Sequence, residues 1–312
     1  MSDAAITTKH RRPRFRRVED STSFQLTDRD VKIISQVARH GFLRSTHISC
    51  LLAAPHKKIC ERLTSLYHAG FLDRPRSQLE YYVYGGGSAS FVYALDNKGA
   101  HLLRTRGRSD KAKWIRTSRD NTRQFLLHTL SVADFRVALA VACRARPDVS
   151  LIEPEELLRS APEPTQLSSN PWSWRVHVQF KGFAREIGVV PDYVFALTLP
   201  DGRRRPFVVE CDRGTMPIER HSLSQTSILR KFLAYEASYK KALHMNHFGW
   251  KNFRVLIIAE NQNRIESMQA LVDHHAQITG SPLFLFADRT LMQGDIFSHR
   301  WASTRAAKHT LL

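Results

Sequence analysis

The sequence is poor in several features that mark particular classes of protein. Its 312 residues include four cysteines, 14 glycines and 13 prolines, which excludes a disulfide-rich secreted domain, a collagen-like chain and a low-complexity linker. Aliphatic runs such as residues 255–259 are short, whereas a membrane-spanning helix needs about 20 apolar residues. Acidic residues are few, with 29 Asp and Glu against 47 Lys and Arg. We therefore expect a soluble cytoplasmic chain with no membrane partner.

The composition is that of a folded protein with more than one core. Hydrophobic residues make up 42% of the chain and aromatic residues 10%, so the chain can bury sizeable cores, and its length corresponds to about two domains. The cysteines at positions 50, 60, 143 and 211 lack the paired spacing of a zinc site. We expect them to be buried, reduced thiols.

The net charge of +18 is concentrated in two blocks. Residues 9–17 hold six Lys and Arg, including Arg11, Arg12 and Arg14, and residues 104–123 hold eight against two acids. Basic blocks of this kind suit a polyanion that releases counterions when its phosphates are neutralised. The pattern favours double-stranded DNA as the partner and a location at the nucleoid or a plasmid. A membrane surface and basic linkers without a partner are the competing interpretations.

The first predicted domain consists of three short helices followed by a hairpin. Thr27 and Asp30 form a helix start, Gly41 is a stop signal, a second helix begins near Ser45, and a third opens at Pro55. Strand-like residues 79–84 and 91–95 flank a turn at 85–88, and a short helix follows from residue 97. This order is similar to a winged helix-turn-helix, whose third helix enters the major groove. The expected DNA contacts are Lys57, Lys58, Arg62, Arg74 and Arg76; a protein-docking module is the alternative.

The second predicted domain has the element order α-β-β-β-α-β. A long helix at 122–143 is followed by strands at 173–180, 192–199 and 206–211, a helix at 222–243, a strand at 253–259, a helix at 263–277 and a strand at 283–286. Alternation along the third strand directs Glu210 and Asp212 to one face, where Glu210 can meet Asp192 of the neighbouring strand. Such clustered acids either bind Mg²⁺ or Mn²⁺ or include one that is protonated, turned away, or paired with Arg213 or Lys231.

The element order and its acids resemble the PD-(D/E)xK superfamily, which has the restriction-endonuclease-like fold. The resemblance implies a metal held by Asp192, Glu210 and the backbone carbonyl of Cys211. Asp212 stands where the superfamily usually has lysine, so by resemblance Lys231 of the following helix takes that role, with Tyr235 one turn later on the same face. Asp212 and Tyr235 complete the expected catalytic set.

Together these motifs are similar to the replication-relaxation family of plasmid and mobile-element proteins. The implied organisation is a basic tail at 1–24, a winged helix-turn-helix at 25–105, a basic linker at 106–120, a restriction-endonuclease-like domain at 121–295 and a C-terminal tail at 296–312. The implied function is metal-dependent nicking or cleavage of DNA during replication or transfer, with other replication, transfer or transposition proteins and a second copy of the chain as further partners. Two alternatives remain open: a non-catalytic accessory DNA-binding protein with a degenerate nuclease fold, and a winged-helix transcription regulator.

Overall fold

The computed structural model describes residues 13–18, 24–81, 90–107, 122–304 and 308–312. Two compact units divide between Ala133 and Asp134. The division falls inside a long helix, Arg123–Ala145, rather than at the predicted boundary after residue 120. The reason lies in the first unit, where Leu126 and Leu130 of this helix join a buried cluster with Phe42.

In its described residues, the first unit contains four complete α-helices, the beginning of the long helix, and a three-stranded antiparallel sheet in the order β1-β3-β2. Its elements are α1 (Asp28–His40), β1 (Phe42–Arg44), α2 (Ser45–Leu52), α3 (His56–His68), β2 (Leu72–Asp73), β3 (Val92–Leu95) and α4 (Asn97–Thr105). The predicted start of α1 is confirmed: Thr27 and Asp30 form a reciprocal capping box, and Gly41 ends the helix with φ of 79°. The reciprocal bonds satisfy two backbone donors that a helix start leaves unpaired.

The predicted strand at 79–84 is wrong in its described part, because Arg76–Tyr81 forms a 3₁₀ helix. The side chain of Gln78 supplies the physical reason. Its amide oxygen accepts the Val92 N–H at 2.9 Å, and its amide nitrogen donates to the Val92 carbonyl at 3.0 Å. One side chain thus satisfies backbone groups that a neighbouring strand would otherwise pair. The predicted turn at 85–88 lies outside the described residues.

The second unit is built on a seven-stranded mixed sheet in the order β12-β11-β10-β9-β8-β7-β4. Its strands are β4 (Ser150–Ile152), β5 (Trp174–Phe180), β6 (Phe183–Val189), β7 (Tyr193–Thr198), β8 (Arg204–Cys211), β9 (Arg254–Ala259), β10 (Phe284–Asp288), β11 (Trp301–Ala302) and β12 (Lys308–His309). Its helices after the long helix α5 (Arg123–Ala145) are α6 (Pro154–Arg159), α7 (Glu163–Gln166), α8 (Ile228–Lys240), α9 (Leu243–Phe248) and α10 (Gln262–His274).

Strand β8 is central to this sheet and has a different covering on each face. It pairs antiparallel with β7 and parallel with β9, and β9 pairs parallel with β10. Val208 packs in a buried cluster with residues of α8, including Phe232. On the other face Phe207 stacks on Phe195, which contacts Phe135 of α5. Side chains of alternate β8 residues therefore enter two separate layers.

Two features of the predicted strand order are corrected. The strand at 174–180 does not join the main sheet but pairs with β6 in a separate two-stranded sheet. Little in the sequence indicates β6, because five of its seven residues are exposed and its apolar side chains do not alternate clearly. The position at the edge of the main sheet, beside β7, is taken by β4, whose three residues are too few for a periodic signal.

Helix α5 is the one helix among the described residues that is long and apolar enough to cross a membrane. Half of its most apolar stretch is buried inside the protein, and Leu130, Phe135 and Leu139 are inaccessible to solvent. The core helix of a globular unit has this composition. The four cysteines are free, but only Cys211 is buried, while Cys50 is exposed, which corrects the expectation of uniformly buried thiols.

Candidate active site

Asp192 and Glu210 are cross-strand neighbours at the carboxyl end of β8. The β7–β8 register pairs Tyr193 with Val209, so Asp192 and Glu210 each adjoin a paired position of the two strands, and the charge of Asp192 acts on the Glu210 carboxyl. Two hydrogen bonds fix Asp192: its N–H donates to the Val209 carbonyl at 3.1 Å, and its Oδ2 accepts the Cys211 N–H at 2.8 Å. The structure thus brings together the two acids that the sequence singles out.

Lys231 and Tyr235 bind the two oxygens of Glu210. The Lys231 ammonium donates to Oε2 at 2.5 Å, and the Tyr235 hydroxyl donates to Oε1. Their spacing of four residues directs both side chains from α8 toward β8. Glu210 is 5% exposed and Tyr235 is 1% exposed. The Glu210 carboxylate is therefore oriented before any ligand binds.

Two residues outside the predicted set position Tyr235 and α8. Trp174 of β5 packs edge-on against the Tyr235 ring, with centroids 6.1 Å apart, and its indole N–H donates to Ser238 at 2.8 Å. Ser227 caps α8 by accepting the Arg230 N–H at 3.2 Å. Rigid support of this kind fixes the side chains of a site in one geometry.

Burial and neighbouring charges shift the proton equilibria of the cluster. Burial raises the pKa of Glu210, and the Asp192 carboxylate raises it further, whereas the Lys231 ammonium opposes the shift. Burial lowers the pKa of Lys231, but attraction to Glu210 and Asp192 outweighs burial and raises that pKa overall. Burial and Glu210 also raise the pKa of the Tyr235 hydroxyl well above its usual value. Lys231 and Tyr235 therefore remain protonated donors at neutral pH.

Asp212 is engaged by an arginine rather than by the Glu210 cluster. Arg264 donates to Asp212 through Nε at 2.7 Å and through Nη2 at 3.3 Å, and it also donates to the Met216 carbonyl. The Gly214 N–H adds a bond to Asp212 at 3.1 Å, in a turn where Gly214 has φ of 73°. The expected convergence of three acids is thus not formed, and Asp212 stabilises the loop after β8.

Sequence reasoning missed Arg264, although a signal was present. Arg264 lies in the first turn of α10, and Lys231 lies in the first turn of α8. The positive end of the helix dipole disfavours a cation there. A basic residue in that position near a strand-end acid therefore indicates an ion pair, as Lys231–Glu210 and Arg264–Asp212 both show.

Asp192 and Glu210 are the two carboxylates of the cluster that a hydrated divalent cation would use. Within the described ranges, no group of three or more His, Cys, Asp or Glu side chains is placed to hold a metal. Mg²⁺ usually takes one or two carboxylates while it keeps several waters and binds substrate phosphates, and Asp192 and Glu210 provide two. Burial, followed by the charges of Asp192 and Glu210, raises the pKa of the Cys211 thiol well above its usual value, so this thiol is not a thiolate ligand. The role predicted for the Cys211 carbonyl stays a prediction.

The residues predicted to contact DNA in the first unit fall into two groups. Arg74 is 5% exposed and donates to the Arg14 carbonyl, to Thr64 and to Tyr93, so its guanidinium is internal and the predicted DNA contact is corrected. Arg62 binds Asp30 and the Gln25 carbonyl, which engages most of its donors.

The second group presents its side chains to solvent. Lys57 and Lys58 in the first turn of α3, together with Arg76 and Arg14, are exposed. These four positions remain candidates for phosphate contacts. Arg11 and Arg12 lie outside the described residues.

One comparison with known proteins gives a match. The family model described as replication-relaxation matches residues 34–251, a span that includes α3, Asp192, Glu210, Lys231 and Tyr235. No curated protein and no solved structure matches the chain.

Proposed function

The chain belongs to the replication-relaxation family, and from this membership and the cluster around Glu210 we propose that it binds DNA and nicks or cleaves it with the aid of a divalent cation. Family membership associates the chain with plasmid or mobile-element replication. The observation that carries the proposal is a buried glutamate held by Lys231 and Tyr235 near Asp192. This arrangement resembles the site of PD-(D/E)xK nucleases, and the helices and small sheet of the first unit resemble a winged helix-turn-helix.

The chemistry assigned to the site is phosphodiester hydrolysis. Asp192 and Glu210 would hold Mg²⁺ or Mn²⁺, which supplies charge neutralisation at phosphate and a more acidic bound water. Tyr235 fixes one oxygen of Glu210, and Lys231 fixes the other. The Lys231 side chain is 35% exposed, so its ammonium can also reach an attacking water or a phosphate oxygen from the solvent side.

A plasmid-nicking assay tests the catalytic part of the proposal. Supercoiled plasmid is incubated with the full chain and Mg²⁺ or Mn²⁺, beside Asp192→Asn and Glu210→Gln. Each variant is expected to nick at least about 100-fold more slowly, the scale lost when a positioned catalytic group is removed. Glu186→Gln is the matched control, because Glu186 lies on β6 in an exposed pair with Arg175. Equal nicking by all four proteins would reveal a contaminating nuclease and overturn the proposal.

The DNA-binding part has its own test at α3. Affinity for a duplex is measured against salt for the full chain and for the double variant Lys57→Gln/Lys58→Gln. Each lost phosphate contact should reduce the magnitude of the log–log salt slope by about 0.9. Lys32→Gln is the control, because Lys32 is an exposed lysine on α1. An unchanged slope in the double variant would place the DNA contacts elsewhere.

One observation favours a second candidate, a non-catalytic accessory protein. Lys231 and Tyr235 already occupy both oxygens of Glu210, and Asp212 is taken by Arg264. A cluster satisfied in this way can serve as a structural element of a DNA-binding domain. This candidate predicts salt-dependent duplex binding that Asp192→Asn leaves unchanged, with no nicking in Mg²⁺ or Mn²⁺.

A further inference from the structure

A pocket lies at the opposite end of β8 from Glu210. It has a volume of about 640 Å³ and is bounded by the first residues of β8 and β9 and by residues 308–312. Arg204, Arg205, Arg254 and Lys308 are among its lining residues. Five residues of extended chain separate Arg205 from Glu210, a distance of about 17 Å. The pocket is therefore distinct from the candidate active site.

The side chains that line the pocket carry an excess of positive charge. None of its described lining residues is an aspartate or a glutamate. The Arg205 guanidinium donates at 3.4 Å to the Leu311 carbonyl, which is a neutral acceptor. Arg254 is half-buried, and burial together with the charge of Arg205 lowers its pKa. Two guanidinium groups that repel each other in a partly desolvated pocket are stabilised by an anion placed between them.

Aromatic residues form another part of the wall. Tyr239, which is half-buried, and Phe253 line the pocket, with ring centroids 5.8 Å apart. Tyr239 is also stacked on His244 at 5.1 Å, and His244 itself contacts Phe253. Arginines beside an accessible ring match the two parts of a nucleotide, because the guanidinium binds phosphate and the ring stacks on a base. The volume lies within the range of small-molecule sites.

We infer that the Arg205–Arg254 pocket binds the phosphate and base of a nucleotide, either free or within a DNA strand. Arg205 and Arg254 bind the phosphate oxygens, and Tyr239 contacts the base. Arg204 and Lys308, both exposed, attract the anion at the entrance. This binding does not depend on the chemistry at Glu210.

Calorimetric titration of the full chain tests the inference with three probes: inorganic phosphate, thymidine 5′-monophosphate and a short thymidine oligonucleotide. The nucleotide is expected to bind at least tenfold more tightly than phosphate. Arg205→Gln/Arg254→Gln should lose at least tenfold in affinity for it, and Tyr239→Leu should bring its affinity down toward that of phosphate. Arg185→Gln, which replaces an exposed arginine of β6, should bind like the parent chain.

The outcomes distinguish a free nucleotide from a DNA strand as the ligand, and they decide whether the pocket binds a nucleotide at all. Saturable binding of the monophosphate identifies a free nucleotide as sufficient, and binding of the oligonucleotide alone identifies a strand. Equal affinity for phosphate and monophosphate would overturn the assignment of a base site. Unchanged affinity in the double arginine variant would overturn the pocket itself. Glu210→Gln should retain binding, so a failure of nicking and a failure of this inference are distinguishable.

Discussion

The two ends of strand β8 differ in whether their charged side chains have oppositely charged partners. At the carboxyl end, Glu210 and Asp212 each meet a cation from the first turn of a helix, Lys231 and Arg264 respectively. At the amino end, Arg205 lines a pocket together with other cationic side chains and with no aspartate or glutamate. Glu210 and Asp212 are therefore each paired with a cation of the protein, whereas the amino end retains positive charge that an external anion can neutralise. Substitutions at the two ends should accordingly have opposite effects on stability.

The largest effect is expected from Asp212→Ala. The change leaves Arg264, whose side chain is 15% exposed, without its carboxylate, and removing one partner of a buried pair costs about 3 kcal/mol. Urea unfolding of the variant and the parent measures the difference. Asp201→Ala is the control, because the Asp201–Arg203 pair is exposed and its loss should change stability little. Equal effects of the two changes would show that Asp212 is not a structural acid.

A smaller loss is expected from Lys231→Met. The substitution retains the aliphatic stem but removes the charge that compensates buried Glu210, and losing a hydrogen bond to a charged group costs about 2 kcal/mol. Partial exposure of the Lys231 side chain keeps the effect below that of Asp212→Ala. Urea unfolding again provides the measurement. Lys32→Met, at an exposed lysine of α1, is the control, and a loss as large there would contradict the assignment.

The helix starts and the strand-end acids were predictable because each depends on local chemistry. Thr27 and Asp30 are three residues apart, and Lys231 and Tyr235 are four apart, so spacing alone places each pair on a shared helix end or face. The helix α8 was expected over a longer range than Ile228–Lys240. The proximity of Asp192 and Glu210 was predictable because each is a polar residue at one end of an apolar strand.

The features that could not be predicted from the sequence depend on contacts between residues that are far apart in the chain. The exposed faces of β6 carry no alternation from which a strand could be inferred. Gln78 replaces a strand partner through a side-chain contact 14 residues away. Arg74 looks like any surface arginine in a count of charges, yet three aromatic rings surround its guanidinium. Secondary-structure propensity and residue spacing do not predict such tertiary contacts.

The pH dependence of stability is a further test of the charges around Glu210. A carboxyl whose pKa is raised on folding contributes stability that is present below its unfolded pKa and is lost as the pH rises through its folded value. Burial and Asp192 raise the pKa of Glu210, so the parent chain should lose stability as the pH rises above about 4.5. Glu210→Gln should remove this loss, because the glutamine side chain does not titrate. Chemical unfolding from pH 5 to pH 8 measures it, and parallel curves would contradict it.

The smallest effect, and the one opposite in sign, is expected at the amino end of β8. Arg254→Met keeps the buried stem and removes one of two repelling guanidinium groups, so without added anion the variant should be as stable as the parent or more stable by about 0.5 kcal/mol. Urea unfolding with and without thymidine 5′-monophosphate provides the measurement. The nucleotide should stabilise the parent by mass action and should stabilise the variant less. A variant that is destabilised without the nucleotide would show that Arg254 supports the fold, and the two ends of β8 would then no longer differ in kind.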